Sequence, residues 1–544
     1  MKVAVVGSGP AGVAVSRALL DADGDVQVEM LDFGNQIEPE SDALAEAFRG
    51  GLAGPAERDR LKPARADAGI RENVSHWLKA LTGRAPLLDL TEKARLGSLF
   101  TFRDVDWGIP ASADAAPLSR SLARGGLSNV WGAACYPMVS SDFATWPITE
   151  AELVPHYHAA ARMLSLSETD DALASVYPIH GTPSAGFSLN APARELYLHW
   201  QTHGDAIRAL GVHAGRARLA VREHDDARGV GCQECGLCLS GCPYDAIYRA
   251  DWTLAELERS PRFTYVPGLL VRRFTEGVDG VSVEALEGQG GPVWTHSYDA
   301  LFLASGTLSS LRIAAESLGH HDYPVPLVDN DLFLVPLLRT RGETIPTSRL
   351  HFTLNELALR VVVDGCPVHL QIYCMSGQVV DRFRPLLDVL PGAARSAVDR
   401  ALGRLLLGFV YLPGERSTRI RACVEERSPL GHVTLTQQRS RDSRRIAGRF
   451  LRFLGRHTRL LGLLPIGPPL RSTPAGHSGG HLAGALPMTR DPGVLQTDRD
   501  GRLHGTRRVH VVDGAALTSL PAQNSTYTIM ANAHRIGSRF ARSA

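Results

Sequence analysis

The sequence predicts an α/β protein in which a Rossmann-like dinucleotide-binding domain is joined to a second domain built on an antiparallel sheet (α+β). Three observations carry this. A glycine-rich turn lies between two β-rich runs at the N-terminus, a buried-strand pattern at Ala300–Ala304 runs into Ser305, Gly306 and a helix through Leu311, and the texture changes across 320–470. Length and composition fit a large packed enzyme: 544 residues with 44% apolar side chains exclude disordered and fibrous classes. The 58 Lys and Arg against 57 Asp and Glu leave a net charge of +1, so neither nucleic acid nor an acidic membrane is expected as the main partner.

The N-terminal element runs from a β-rich Lys2–Val6 through Gly7, Ser8, Gly9, Pro10, Ala11 and Gly12 into a helical pattern (Val13, Val15, Ala18, Leu19). A second β-rich run, Val26–Leu31, ends in Asp32. Gly7 permits the tight turn, Gly9 lets the backbone approach a pyrophosphate at the helix N-terminus, and Gly12 allows close packing of helix on strand. Asp32 can accept a ribose hydroxyl. No second glycine motif stands in a strand-to-helix setting, so one tightly held dinucleotide is expected.

Residues 40–70 are polar and rich in Ala, Glu and Arg, as in a surface insertion. Next come the loop Gly125–Gly132, the segment Trp146, Pro147, Ile148, and a capping box of Thr149 and Glu152 that opens a helix through Tyr157 and Met163. Within 320–470, β-like runs at Leu359–Val363, His369–Tyr373 and His432–Leu435 predict an inserted antiparallel domain. The Arg-rich stretch Arg439–Leu460 reads as a solvated helix face. The last quarter holds Gly480, His481, Leu482, Ala483 and Gly484, a β-rich run Val509–Val512, Asp513 and Gly514, then Pro521–Ile529 and a closing helix.

In these ordered motifs, from the glycine turn to the closing helix, the sequence resembles the GMC (glucose-methanol-choline) oxidoreductases from end to end. The resemblance implies FAD and a discontinuous FAD-binding domain, 1–319 with a Cys-rich insertion near 228–250. It further implies a substrate-binding domain at 320–470 and a return to the FAD-binding domain at 471–544. His481 and Asn524 match the two active-site positions. Gly7, Gly9, Gly12, Asp32, Gly126, Ser128, Asn129, Val271, Asp513, Gly514 and Ser525 fall at cofactor-binding positions. Alcohol oxidation needs a group that takes the hydroxyl proton and one that holds the oxygen; a His and a neutral amide suit these tasks. Some members attach FAD covalently through a His in the loop that here reads Ser128, Asn129, Val130, Trp131, so non-covalent FAD is expected.

Four of the eight Cys are Cys232, Cys235, Cys238 and Cys242, followed by Pro243. This is the bacterial ferredoxin run, and it predicts an iron-sulfur cluster in preference to zinc, whose Cys pairs are usually spaced by a dozen or more residues. Because the fourth Cys of such a run serves another cluster in two-cluster ferredoxins, two arrangements stay open. Either Cys242 closes a four-iron cluster through an altered loop, or three Cys hold a three-iron cluster.

The stretch Gly476–Gly480 matches the hydrolase G-x-S-x-G elbow, but its Pro and Gly flanks indicate neither the strand nor the helix that motif needs. The expected function is a dehydrogenase that oxidises a small alcohol or sugar hydroxyl, with electrons leaving through the cluster to a one-electron acceptor protein or small acceptor. The alternatives are a redox-neutral or lyase-type flavoprotein with a structural cluster, or an oxidase using dioxygen. With no apolar run of bilayer length and no signal-peptide pattern, a cytoplasmic location and no transmembrane segment are expected.

Overall fold

The computed structural model describes residues 1–54, 57, 61, 95–111, 120–344, 351, 353–374, 390–426, 430–471 and 480–543. The elbow-like positions 476–479, with His477, lie outside the described residues.

A five-stranded parallel sheet is assembled from distant parts of the chain, in the order Val509–Val511, Ala300–Leu303, Lys2–Val6, Gln27–Leu31, Phe263–Val266. Helices cover such a sheet on both faces, which is why its strands read as unbroken apolar runs. Val3, Ala4, Val5, Leu301, Phe302, Leu303, Val509 and Val511 are all fully buried. The helix Pro10–Leu20 packs against the C-terminal helix Thr526–Ser543, so the two ends of the chain meet. The Thr149–Glu152 capping box forms as expected, the Thr149 N–H donating to the Glu152 carboxylate at 3.0 Å at the start of helix Glu150–Leu164.

The main antiparallel sheet has seven strands. Its path runs Leu463–Pro465, Leu332–Arg339, Leu405–Tyr411, Cys366–Cys374, Leu357–Val363, His213–Arg216, and Leu470–Arg471 also pairs with Leu332–Arg339. One face packs on helices Ala191–Thr202 and Arg441–Arg456 through Leu196, Trp200, Ile446, Phe450 and Leu454. The Arg-rich stretch is therefore an amphipathic helix with its apolar side buried. The other face carries Leu332, Leu334, Phe409 and Tyr411.

Two features differ from the sequence reading. His432–Gln438 leaves the main sheet and joins a three-stranded one with Arg419–Glu425 and Val325–Leu327. A further antiparallel sheet, Leu269–Glu276, Val281–Glu287 and Val293–Tyr298, was not anticipated, although the buried Val281, Val283 and Ala285 alternate with half-buried neighbours as a strand with one packed face requires. Among the described residues no helix is long and apolar enough to cross a membrane.

Candidate active site

A cavity of about 350 Å³ runs between the C-terminal ends of the parallel strands and the antiparallel sheet. At one end lies the glycine turn. Gly7 has φ +100°, and a Cβ there would stand 2.7 Å from the Ala304 carbonyl oxygen; a Cβ on Gly12 would stand 1.9 Å from the Gly7 carbonyl oxygen. Gly9 differs: it caps the helix Pro10–Leu20, lines the cavity, and a Cβ on it would meet nothing within 4 Å. The turn thus leaves open space at the positive end of a helix, as an anionic pyrophosphate needs.

Asp32 borders the same space. Its carboxylate accepts hydrogen bonds from the Ser8 hydroxyl and, at 3.0 Å, from the Tyr265 phenol. Burial pushes its carboxyl up to about 6, although these bonds pull the other way. The Ser8 oxygen also accepts the Gly125 N–H at 2.9 Å, which docks the loop Gly125–Gly132 on the glycine turn. Ser128 donates to the Gly125 carbonyl at 2.6 Å and accepts the Ala250 N–H at 2.9 Å.

The remaining sequence-predicted residues divide. Gly126, Ser128, Val271, Asp513, Gly514 and Ser525 border the cavity, several of them with their polar atoms already engaged. The Val271 carbonyl accepts from Arg312 at 2.7 Å, while Asp513 accepts from the Gly306 and Ala515 N–H groups and the Ser310 hydroxyl. Asp513 therefore fixes the start of helix Thr307–Leu318 instead of offering a free carboxylate. Asn129 does not face the large cavity. It lines a narrower one beside Cys238 and Cys242, and its Oδ1 is buried without a hydrogen-bond partner. Ser128, Val130 and Trp131 border both cavities and so form the partition between them.

His481 and Asn524 meet at the opposite end, with Asn524 Nδ2 3.2 Å from His481 Nε2. Sequence reasoning missed the residue behind them. Asn330 donates both amide hydrogens, to the Leu412 and Pro521 carbonyls at 2.8 and 2.7 Å, which turns its Oδ1 toward His481 Nδ1 at 3.2 Å. That oxygen can only accept, so in a neutral imidazole Nδ1 carries the proton and Nε2 keeps its lone pair on the cavity side. The His481 N–H donates to Asp329 at 3.0 Å. Gln371 donates to Asn524 Oδ1 at 2.5 Å, leaving the Asn524 NH2 group as a donor.

Residues 465–533, the segment that holds both His481 and Asn524, match the sequence profile of the GMC oxidoreductases. Over this segment the chain is similar to the C-terminal domain of that family. The fold agrees along its length: the crystal structure of pyridoxine 4-oxidase from Mesorbium loti superposes with a TM-score of 0.56, at 17% identity, over 100% of this chain and 98% of that one. No curated protein matches the sequence.

The Cys run lies against the partition. Cys238 and Cys242 line the narrower cavity, and the Ala246 N–H reaches Cys242 Sγ at 3.4 Å. Burial pushes the Cys232 and Cys242 thiols up to about 12. Among the described residues, no group of three or more His, Cys, Asp or Glu side chains is arranged to hold a metal ion.

Proposed function

We propose that this protein is an FAD-dependent oxidoreductase that oxidises the hydroxyl-bearing carbon of a small alcohol. The observation that carries the reading is that the His481, Asn524 and Asn330 cluster opens into the same cavity as the glycine turn and Asp32. The open space at Gly9 and the acceptor on Asp32 fit the pyrophosphate and ribose of FAD. Bound there, FAD would supply a two-electron acceptor for hydride. His481 Nε2 accepts the hydroxyl proton, the Asn524 amide donates to the alcohol oxygen, and Asn330 holds the imidazole in the tautomer whose Nε2 carries the lone pair. The structural neighbour is named as an oxidase acting on pyridoxine, which agrees with an oxidation. Anaerobic addition of an alcohol substrate is expected to bleach the flavin; a flavin that stays oxidised with every alcohol tried would favour the redox-neutral alternative.

FAD is expected to be non-covalent, with Gly7, Gly9, Gly12, Asp32, Gly126, Ser128, Val271, Asp513, Gly514 and Ser525 around it. Acid precipitation should leave the yellow colour in the supernatant, and colour retained in the pellet would refute it.

Asn330→Ala is expected to lower kcat by about tenfold, the cost of losing one positioning hydrogen bond of about 1 kcal/mol together with the tautomer bias it imposes. The pH dependence of kcat should shift with it, because the basicity of Nε2 depends on the bond at Nδ1. A lower melting temperature with an unchanged pH profile would assign Asn330 a structural role alone.

A second reading concerns the route of the electrons. The spacing of Cys232, Cys235, Cys238 and Cys242 favours an iron-sulfur cluster, four-iron or three-iron, serving a one-electron acceptor and hence a dehydrogenase. Arg49, Arg95 and Arg249 all pair with Asp245 beside this loop. Iron and acid-labile sulfide are expected in anaerobically purified protein, and Cys235→Ser should slow reoxidation by a one-electron acceptor while sparing flavin reduction. Zinc in place of iron, or unchanged reoxidation, would leave an oxidase using dioxygen as the better reading.

A further inference from the structure

The face that the antiparallel sheet turns to the cavity has a chemistry that proton handling does not explain. Gln371 and Phe409 are direct partners in the register of their strands, and Leu332 stands opposite Tyr411. Paired residues share a face, and Tyr373 lies two residues from Gln371, so these five side chains form one wall. The Tyr373 and Phe409 rings stand 4.5 Å apart at 36°, and Tyr411 stacks on the His481 imidazole at 5.7 Å and 28°.

The polar atoms of that wall are spent on one another and on Asn524. The Tyr373 phenol donates to Gln371 Oε1 at 3.2 Å, and Gln371 donates onward to Asn524. What remains toward the cavity is ring and aliphatic surface. The Asp and Arg side chains that line the cavity, among the described residues, are Asp32, Arg312 and Asp513, all bonded to other parts of the protein and none on the sheet wall. A sugar placed here would bury hydroxyls without partners, and a charged substrate would lack a counter-ion. A flat ring would gain offset or edge-on contacts with the rings of Tyr373 and Phe409.

We propose that the substrate is a neutral aryl carbinol, its ring held by Leu332, Tyr373 and Phe409 and its oxygen placed between His481 Nε2 and Asn524 Nδ2. This rests on the oxidoreductase reading above. The O–H proton passes to His481 Nε2, and the carbinol hydrogen leaves with its bonding pair as hydride to the bound flavin, the oxidant. The C–O single bond becomes a double bond, so an aryl methanol yields the aryl aldehyde.

The test uses the anaerobic holoenzyme with benzyl alcohol, cyclohexylmethanol and glucose, and benzamide as an unreactive neutral aryl ligand. Benzyl alcohol is expected to bleach the flavin with a kcat/KM about tenfold or more above cyclohexylmethanol, the scale of an aromatic pair interaction, and further above glucose. Phe409→Leu and Tyr373→Leu should each weaken benzamide binding by about tenfold with flavin content kept, while Tyr373→Phe, which retains the ring, should bind nearly as the parent does. Glucose reducing the flavin as fast as benzyl alcohol would overturn the aryl assignment and leave the oxidoreductase reading standing. So would benzamide binding indifferent to both leucine substitutions. Bleaching by none of the three alcohols would instead overturn the oxidoreductase reading on which the assignment rests.

Discussion

Replacing His481 by Ala is expected to lower turnover by about 100-fold or more, the contribution of a positioned general base, equivalent to roughly 2.7 kcal/mol of activation free energy. The loss should fall on kcat. With Ala at this position no lone pair faces the cavity beside Asn524, and the hydroxyl proton has only water to receive it. The fold has little reason to suffer. The residue is half-buried, its backbone N–H to Asp329 survives the substitution, and the side chain gives up one hydrogen bond to Asn330 and the stacking on Tyr411. Flavin content should stay at the parental level, because the glycine turn and Asp32 lie at the other end of the cavity. The check is steady-state kinetics at several pH values beside the visible spectrum of the purified variant. Near-normal turnover with flavin retained would remove His481 from the chemistry and bring His477 forward.

The parts of this site that could be read from the sequence are those where backbone geometry dictates residue type locally. Gly7 and Gly12 are glycine because a carbonyl oxygen occupies the place of a Cβ, and such demands fall within a few residues of one another. Asp32 follows because its strand pairs directly with the one that enters the turn. Asn330 could not be read. It stands 151 residues from His481 and reaches it through strand pairing and two carbonyl contacts that no local pattern records. The aromatic wall is hidden for the same reason: Gln371 meets Phe409 only through the register of two strands, and a slip of one residue would turn one of them away from the cavity. Asn129 shows the converse. Its loop lies where the motif puts it, but the side chain turns inward to the Arg124 and Gly126 carbonyls and borders the Cys-lined space instead of the large cavity.

Gly12→Ala should cost the protein both its flavin and part of its stability, and comparison with Gly9→Ala separates the two causes. The added Cβ at Gly12 would lie 1.9 Å from the Gly7 carbonyl oxygen, a backbone atom that cannot rotate aside. Gly7 cannot yield either, since its φ of +100° is open to glycine but not to a relaxed chain with side chains, and the Ala304 carbonyl already bounds it. The helix Pro10–Leu20 must therefore move off the strand, which carries its N-terminus away from the pyrophosphate position and disturbs its packing on Thr526–Ser543. Overpacking of this kind costs about 1–3 kcal/mol or more, so a melting temperature several degrees lower is expected even in the apoprotein, together with flavin content near zero. At Gly9 the new methyl would enter open space, so the apoprotein should melt as the parent does while flavin affinity falls, because the methyl occupies the line of approach to the backbone. Thermal melts of both apoproteins and titration of each with FAD make the comparison. Full flavin affinity in Gly9→Ala would mean that no ligand backbone comes close to the turn, and it would remove the glycine motif as the anchor of the cofactor.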